Sequence, residues 1–225
     1  MRVLAIETTS TSGSVAVADD TGLRAAGFLD IRVTHSERLM PQVAACLEQS
    51  GLGIADIDLV AVSNGPGSFT GVRIGLATAK GLSVAREIPL WPVNTLHLLA
   101  HNAWGGALPV LACIDARMGE VYAALYAPDL TPLLPPCCLP PQEFLALVQS
   151  PAVLALGSGA LEYRALLDEA PFTVRYGLAH MNAPQATVLA GMALALPAAP
   201  AFDYDALAAL EPYYLRRSQA EKARD

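Results

Sequence analysis

The stretch GPGSFTGVRIG, Gly65 to Gly75, limits the folds open to this chain more than any other segment. It follows a short apolar run, Leu59–Ser63, whose length and bounds predict a β-strand. It leads into a helix predicted from about Val72 to Arg86. Strand, glycine turn and helix start together make an α/β unit, and the unpaired N–H groups of such a helix start favour an anion. The Gly-Lys-Ser/Thr of a phosphate-binding P-loop is missing, and Lys80 lies two turns into the helix. The spacing G-x-G-x-x-x-G also differs from the dinucleotide fingerprint. Gly65 and Gly67 therefore either line a phosphate cradle or form a tight turn that only joins strand to helix.

The helix carries its own signal. Gly71, Gly75, Ala79 and Ser83 recur every four residues, so one face is a stripe of small side chains, with Val72 and Leu76 beside it. An interior helical glycine costs about 1 kcal/mol relative to alanine, so something must offset it. Small residues let another backbone approach closely, and two surfaces qualify. One is this chain's own sheet or helix. The other is a subunit contact, shared with a helix predicted over Thr34–Ser50 that carries Leu39, Val43 and Leu47. Thr34-His35-Ser36-Glu37 has the pattern of a capping box for that helix, and Pro41 should kink it near its start. Arg73, a cation in the first helical turn, opposes the helix dipole by a few tenths of a kcal/mol, a cost that an acidic partner or ligand would remove.

Around this centre the chain repeats an order of elements. Arg2–Ile6 and Ser14–Ala18 predict a hairpin closed by Thr8, Thr9, Ser10 and Gly13. Pro89–Val93 predicts a strand, after which Asn94 or Thr95 caps a helix to about Ala103. The second half begins with another hairpin, Val110–Asp115 and Glu120–Tyr126. A helix Gln142–Gln149, a strand Val153–Leu156, a Gly157-Ser158-Gly159 turn, a helix Ala160–Asp168, a strand Phe172–Tyr176 and a core helix Ala186–Leu196 follow. Each hairpin has an acid at the end of its first strand, Glu7 and Asp115. Two related α/β lobes, residues 1–104 and 105–225, are the expectation, with the last residues returning to the first lobe. Paired hairpins of this kind can hold phosphates on Ser/Thr/Gly turns and place Mg²⁺ through carboxylate-bound waters, which makes Thr8, Thr9, Ser10 and Asp115 nucleotide candidates. Glu7 and Asp115 are otherwise ordinary turn acids.

Hydrophobic residues make up 53% of the chain and charged residues 16%, enough for a sizeable core and for surface hidden against a partner. A net charge of −7 disfavours direct binding to nucleic acid. The basic cluster of Arg216, Arg217, Lys222 and Arg224 is confined to the end of the chain. Four cysteines without a C-x-x-C pair fit a reducing cytoplasm, and no segment predicts a signal peptide or membrane span. His97 and His101 stand four apart on a helix, but without an interleaved glutamate or a third ligand they make a poor metal site.

Several segments carry a resemblance: LAIETT (Leu4–Thr9), HSERLMP (His35–Pro41), NGPGSFTGVRIGLATAKGL (Asn64–Leu82), PVNTL (Pro92–Leu96), IDARMGEVYAALY (Ile114–Tyr126) and PYYLRR (Pro212–Arg217). In this order they resemble the TsaB (YeaZ) family of the actin-like, sugar-kinase-like ATPase superfamily. That resemblance implies a two-lobed ASKHA fold, a duplicated mixed sheet flanked by helices. It also implies a non-catalytic cytoplasmic subunit for making threonylcarbamoyladenosine beside the tRNA anticodon. Such a subunit would pair with the transferase TsaD, meet the TsaE ATPase and tRNA only through the complex, and form a homodimer when alone. ATP and Mg²⁺ would belong to the complex, with none tightly bound here. The family contacts lie on helices matching about Ser36–Ser50 and Val72–Arg86, which include Leu39, Val43, Leu47, Gly71, Val72, Arg73, Gly75, Leu76, Ala79 and Ser83. Thr95 and Leu99 stand where TsaD has metal-binding histidines, and Glu7 stands where the family usually has Asp. A stand-alone sugar-kinase-type phosphotransferase and a metallopeptidase-like protein are the competing readings.

Overall fold

A computed structural model of the chain describes residues 1–30 and 35–216. By contacts the chain divides into two units. Of the described residues, the first comprises Met1–Leu98 and Pro184–Pro212, the second Leu99–Ala183 and Tyr213–Arg216. The division falls at 98/99, against the expected 104/105, and residues 184–212 return to the first unit.

In the first unit β1 (Val3–Glu7), β2 (Ser12–Asp19) and β3 (Gly22–Asp30) form an antiparallel meander. Parallel strands β4 (Leu59–Ser63) and β5 (Leu90–Val93) extend it on the other side of β1, giving the order β3-β2-β1-β4-β5. β1 and β4 are buried along their whole length, which explains why VLAIE and LVAVS read as continuous apolar runs. Helices α1 (His35–Ser50) and α2 (Phe69–Arg86) pack on one face, where Leu39, Val43, Leu47, Leu76 and Ala79 join Ile6, Val62 and Val15 in one core. Pro41 lies inside α1. The capping-box pattern begins at Thr34, outside the described residues. α3 (Thr95–His101) follows β5, with Asn94 Oδ1 accepting the N–H groups of Leu96 and His97 at 2.9 and 3.3 Å. Asn94 therefore caps this helix.

The second unit repeats the topology. β6 (Val110–Arg117), β7 (Glu120–Tyr126) and β8 (Pro132–Leu139) form the meander, and β9 (Ala152–Leu156) and β10 (Thr173–Tyr176) add parallel strands. Read from β8, the order is β8-β7-β6-β9-β10, strand for strand that of the first unit. α4 (Pro141–Leu147), α5 (Ser158–Glu162) and α6 (Arg164–Asp168) complete it. The predicted helix Ala160–Asp168 is thus two short helices that meet at Tyr163.

Helix α7 (Ala186–Leu194) corrects the expected order. It is apolar around most of its circumference, as a helix enclosed on several sides must be. Ala186, Leu189, Ala190 and Ala193 bury against β1, β2 and β4 on the face opposite α1 and α2. Expected as the last core helix of the second half, it closes the first unit instead. The short helix α8 (Tyr204–Ala209), capped by the Asp203 carboxylate on Ala206 N–H, also packs in that unit. Lys80 of α2 donates to the carbonyls of Ala208 (3.2 Å) and Leu210 (2.7 Å) at its end.

Candidate functional site

The turn after β1 and the turn after β4 meet at the start of α2. Thr9 carbonyl accepts Ser68 N–H at 2.7 Å, and Ser68, the N-cap of α2, accepts Gly71 N–H at 3.3 Å. Thr8 hydroxyl donates to Gly71 carbonyl at 2.7 Å. Gly65 has φ 110°, and its carbonyl accepts Thr95 N–H at 2.8 Å. A Cβ at Gly67 or Gly71 would run into the carbonyl oxygens of Thr9 or Thr8, and one at Gly75 into the Thr8 hydroxyl. These glycines are needed because the β1–β2 turn lies directly against the helix.

Beneath the turn sits Glu7, with no exposed surface. Its Oε1 accepts Thr9 N–H at 2.6 Å, Thr9 hydroxyl at 2.5 Å and Ser63 hydroxyl at 3.3 Å. Burial pushes its carboxyl up to about 7, and the hydrogen bonds from Thr9 and Ser63 pull the other way without prevailing. Ser10 hydroxyl is within hydrogen-bond distance of Ser12 carbonyl and hydroxyl, at 3.1 and 2.8 Å. Of the nucleotide candidates in this unit, Thr8 and Thr9 lie directly against the turn that carries Gly65 and Gly67, and Ser10 is bonded within its own turn.

Asp115 occupies the corresponding turn of the second unit. Its Oδ1 accepts Arg117 N–H at 2.8 Å, and its carboxylate faces the Arg117 guanidinium at 3.1 Å. Its own N–H donates to Ser158 hydroxyl at 3.1 Å. Gly157, with φ 104°, lies against Cys113 carbonyl, and Gly159 against Cys113 Sγ. A hairpin turn seated on a glycine turn is thus built twice. Each acid accepts the N–H two residues further on in its own turn, which is the turn-acid alternative that the sequence offers.

The interface candidates divide differently from the expectation. Leu39, Val43, Leu47, Val72, Leu76, Ala79, Gly71, Gly75 and Ser83 are buried. Ser83 hydroxyl donates to Ile88 carbonyl, and Gly71 and Gly75 face Thr8. The small stripe is taken up by the chain's own β1–β2 turn and core, so these side chains have no surface to offer a partner. Arg73 alone is exposed, and its guanidinium lies 3.6 Å from the centre of the Phe69 ring. That cation–π contact gives the guanidinium a partner on its own helix. The outward face of α2 holds Phe69, Ala77, Gly81 and Val84, and α1 presents Met40 and Ala44. His101 stacks on Trp104 with ring centres 5.7 Å apart. Among the described residues no three His, Cys, Asp or Glu side chains come together as a metal-binding group. No helix among them is long and apolar enough to cross a membrane.

Two sheets of equal topology, each with a glycine turn against its first hairpin, define an actin-like, sugar-kinase-like α/β protein. Component A of (R)-2-hydroxyglutaryl-CoA dehydratase from Acidaminococcus fermentans shares that fold at 11% identity (TM-score 0.52, 86% of this chain and 96% of that one). The family model of TsaD, tRNA N6-adenosine threonylcarbamoyltransferase, matches residues 31–223. YeaZ from Pseudomonas aeruginosa is 30% identical, with TM-score 0.77 over 95% of this chain and 99% of that chain. The tRNA threonylcarbamoyladenosine biosynthesis protein TsaB of Escherichia coli K12 is 47% identical over 131 residues, 57% of this chain and 56% of that protein. TsaB of Bacillus subtilis is 35% identical over 126 residues, 56% and 55% of the two chains. The chain spans about half the length of the curated relatives it matches. It belongs to the TsaB (YeaZ) family, within the wider group that the TsaD model describes.

Proposed function

We propose that this chain is a non-catalytic subunit in tRNA threonylcarbamoyladenosine biosynthesis that pairs with the transferase TsaD. The contact surface is the outward face of α1 and α2, and the same face forms a homodimer when the chain is alone. In this reading ATP, Mg²⁺, tRNA and the TsaE ATPase belong to the assembly, and the chain works in the cytoplasm. One observation carries the surface assignment. Gly81 stands in the interior of α2, on its exposed side, with nothing within 4 Å of where its Cβ would be. Among the described residues nothing offsets the roughly 1 kcal/mol that glycine costs there. A partner backbone lying close along Ala77 and Gly81, between Phe69 and Val84, supplies a reason for it.

Co-expression with affinity-tagged TsaD tests this. Ala77→Arg and Gly81→Arg should each lower co-purification at least tenfold, while Glu162→Arg in the second unit leaves it unchanged. Retained pairing in both helix variants would sink the surface assignment. Appreciable ATP hydrolysis or tRNA modification by the isolated chain would sink the non-catalytic role.

A further inference from the structure

We infer that Glu7 and Asp115 are internal ligands of their own hairpin turns, and that each turn is thereby closed to a nucleotide phosphate. A turn can hold a phosphate through outward-pointing N–H and hydroxyl groups. Here several of these groups are already bonded inside the chain. Glu7 takes Thr9 N–H and Thr9 hydroxyl at 2.6 and 2.5 Å, together with Ser63 hydroxyl. Thr8 hydroxyl is committed to Gly71 carbonyl. Gly67, Gly71 and Gly75 lie so close that the turn has no room to move back toward the helix. In the second unit Asp115 takes the equivalent N–H, that of Arg117, at 2.8 Å.

The carboxyls do not fit magnesium either. Mg²⁺ keeps several of its waters and needs octahedral room around its ligands. Glu7 has no exposed surface: its Oε1 is taken by Thr9 and Ser63, and its Oε2 is buried with no hydrogen-bond partner among the described residues, so a hydrated ion cannot reach it. Asp115 already has a cation, Arg117 at 3.1 Å. The same device in both halves of a duplicated fold makes each acid a substitute for the phosphate. This inference stands on the turns alone and is independent of the partner surface on α2.

The test uses the full chain and thermal unfolding with inorganic pyrophosphate or Mg·ATP, against potassium chloride at matched ionic strength. Wild type and Glu7→Gln, which keeps an acceptor for Thr9, should show no shift with either ligand. Asp115→Ala exposes Arg117 N–H without touching the buried core, and millimolar pyrophosphate should raise its Tm by about 3 °C over chloride. A comparable rise in wild type would overturn the inference, since the turns would then be open. Absence of any pyrophosphate-specific rise in Asp115→Ala would overturn it too, because the carboxylate would not be what closes the turn.

Discussion

Two glycine-to-alanine changes on one helix should act in opposite directions. Alanine relieves an interior helical glycine of about 1 kcal/mol wherever its methyl group finds room. At Gly81 the new Cβ meets nothing within 4 Å, so Gly81→Ala should gain close to that amount. At Gly75 the same methyl runs into the Thr8 hydroxyl. Thr8 is 1% exposed and its hydroxyl is bonded to Gly71 carbonyl at 2.7 Å, so it cannot turn aside without losing that bond. Overpacking of a tight site costs about 1–3 kcal/mol, and a lost buried hydrogen bond about 1 kcal/mol more. After the helix-propensity gain, Gly75→Ala should come out destabilised by about 2 kcal/mol, some 3 kcal/mol below Gly81→Ala. Urea unfolding followed by far-UV circular dichroism, with both variants and wild type in one buffer, reads the difference directly. The reasoning is refuted if Gly75→Ala equals or exceeds wild type, or if Gly81→Ala is the less stable of the two.

Two further outcomes follow from the same unit. Glu7 is raised from 4.5 to about 7 by burial, so between those pH values the folded chain holds a proton that the unfolded chain has released. Wild type should therefore lose up to about 3 kcal/mol relative to Glu7→Gln as pH rises from about 4.5 to above 7, at about 1.4 kcal/mol per pH unit; a pH-independent difference in urea stability between the two would contradict this. Lys80→Met removes the ammonium that donates to the carbonyls of Ala208 and Leu210, so amide exchange across Leu207–Leu210 should accelerate severalfold while that of β1 stays unchanged; equal exchange would show that the Lys80 bonds do not hold the end of α8.

Most of the fold was legible because its central strands are enclosed. β1 and β4 have neighbours on both faces, so their sequences are apolar runs bounded by turn residues, and Leu59–Ser63 is recovered with its bounds. The strands that escaped, β3 and β8, are two of the four edges, whereas the other two, β5 and β10, are predicted. β8 contains Pro132, Pro135 and Pro136, tolerable only because an edge strand has unpaired positions on its outer side. β3, GLRAAGFLD, is interrupted by Gly22 and Gly27, the latter with the end of the Gln42 side chain of α1 in the space a Cβ would take. Neither has the β-branched content by which strands are usually read. The position of α7 escaped for a different reason. A helix apolar around most of its surface declares that it is buried but does not say against which sheet.

The same limit explains the shift in the candidate surface. α2 has two sets of small residues spaced by four, Gly71, Gly75, Ala79 and Ser83 on one side and Ala77, Gly81 and Ala85 on the other. Periodicity finds both faces, because it reports only which residues lie above one another. The choice between them is made by Thr8 and Thr9, whose carbonyls and hydroxyl come so close to α2 that only glycine fits at 67, 71 and 75. Those atoms are held in place by Glu7 through Thr9 N–H and by the Thr8 bond to Gly71. A glycine explained by a neighbour within the chain cannot also be evidence for a partner. Among the described residues Gly81 has no such neighbour, and the case for a subunit contact therefore passes to its side of the helix.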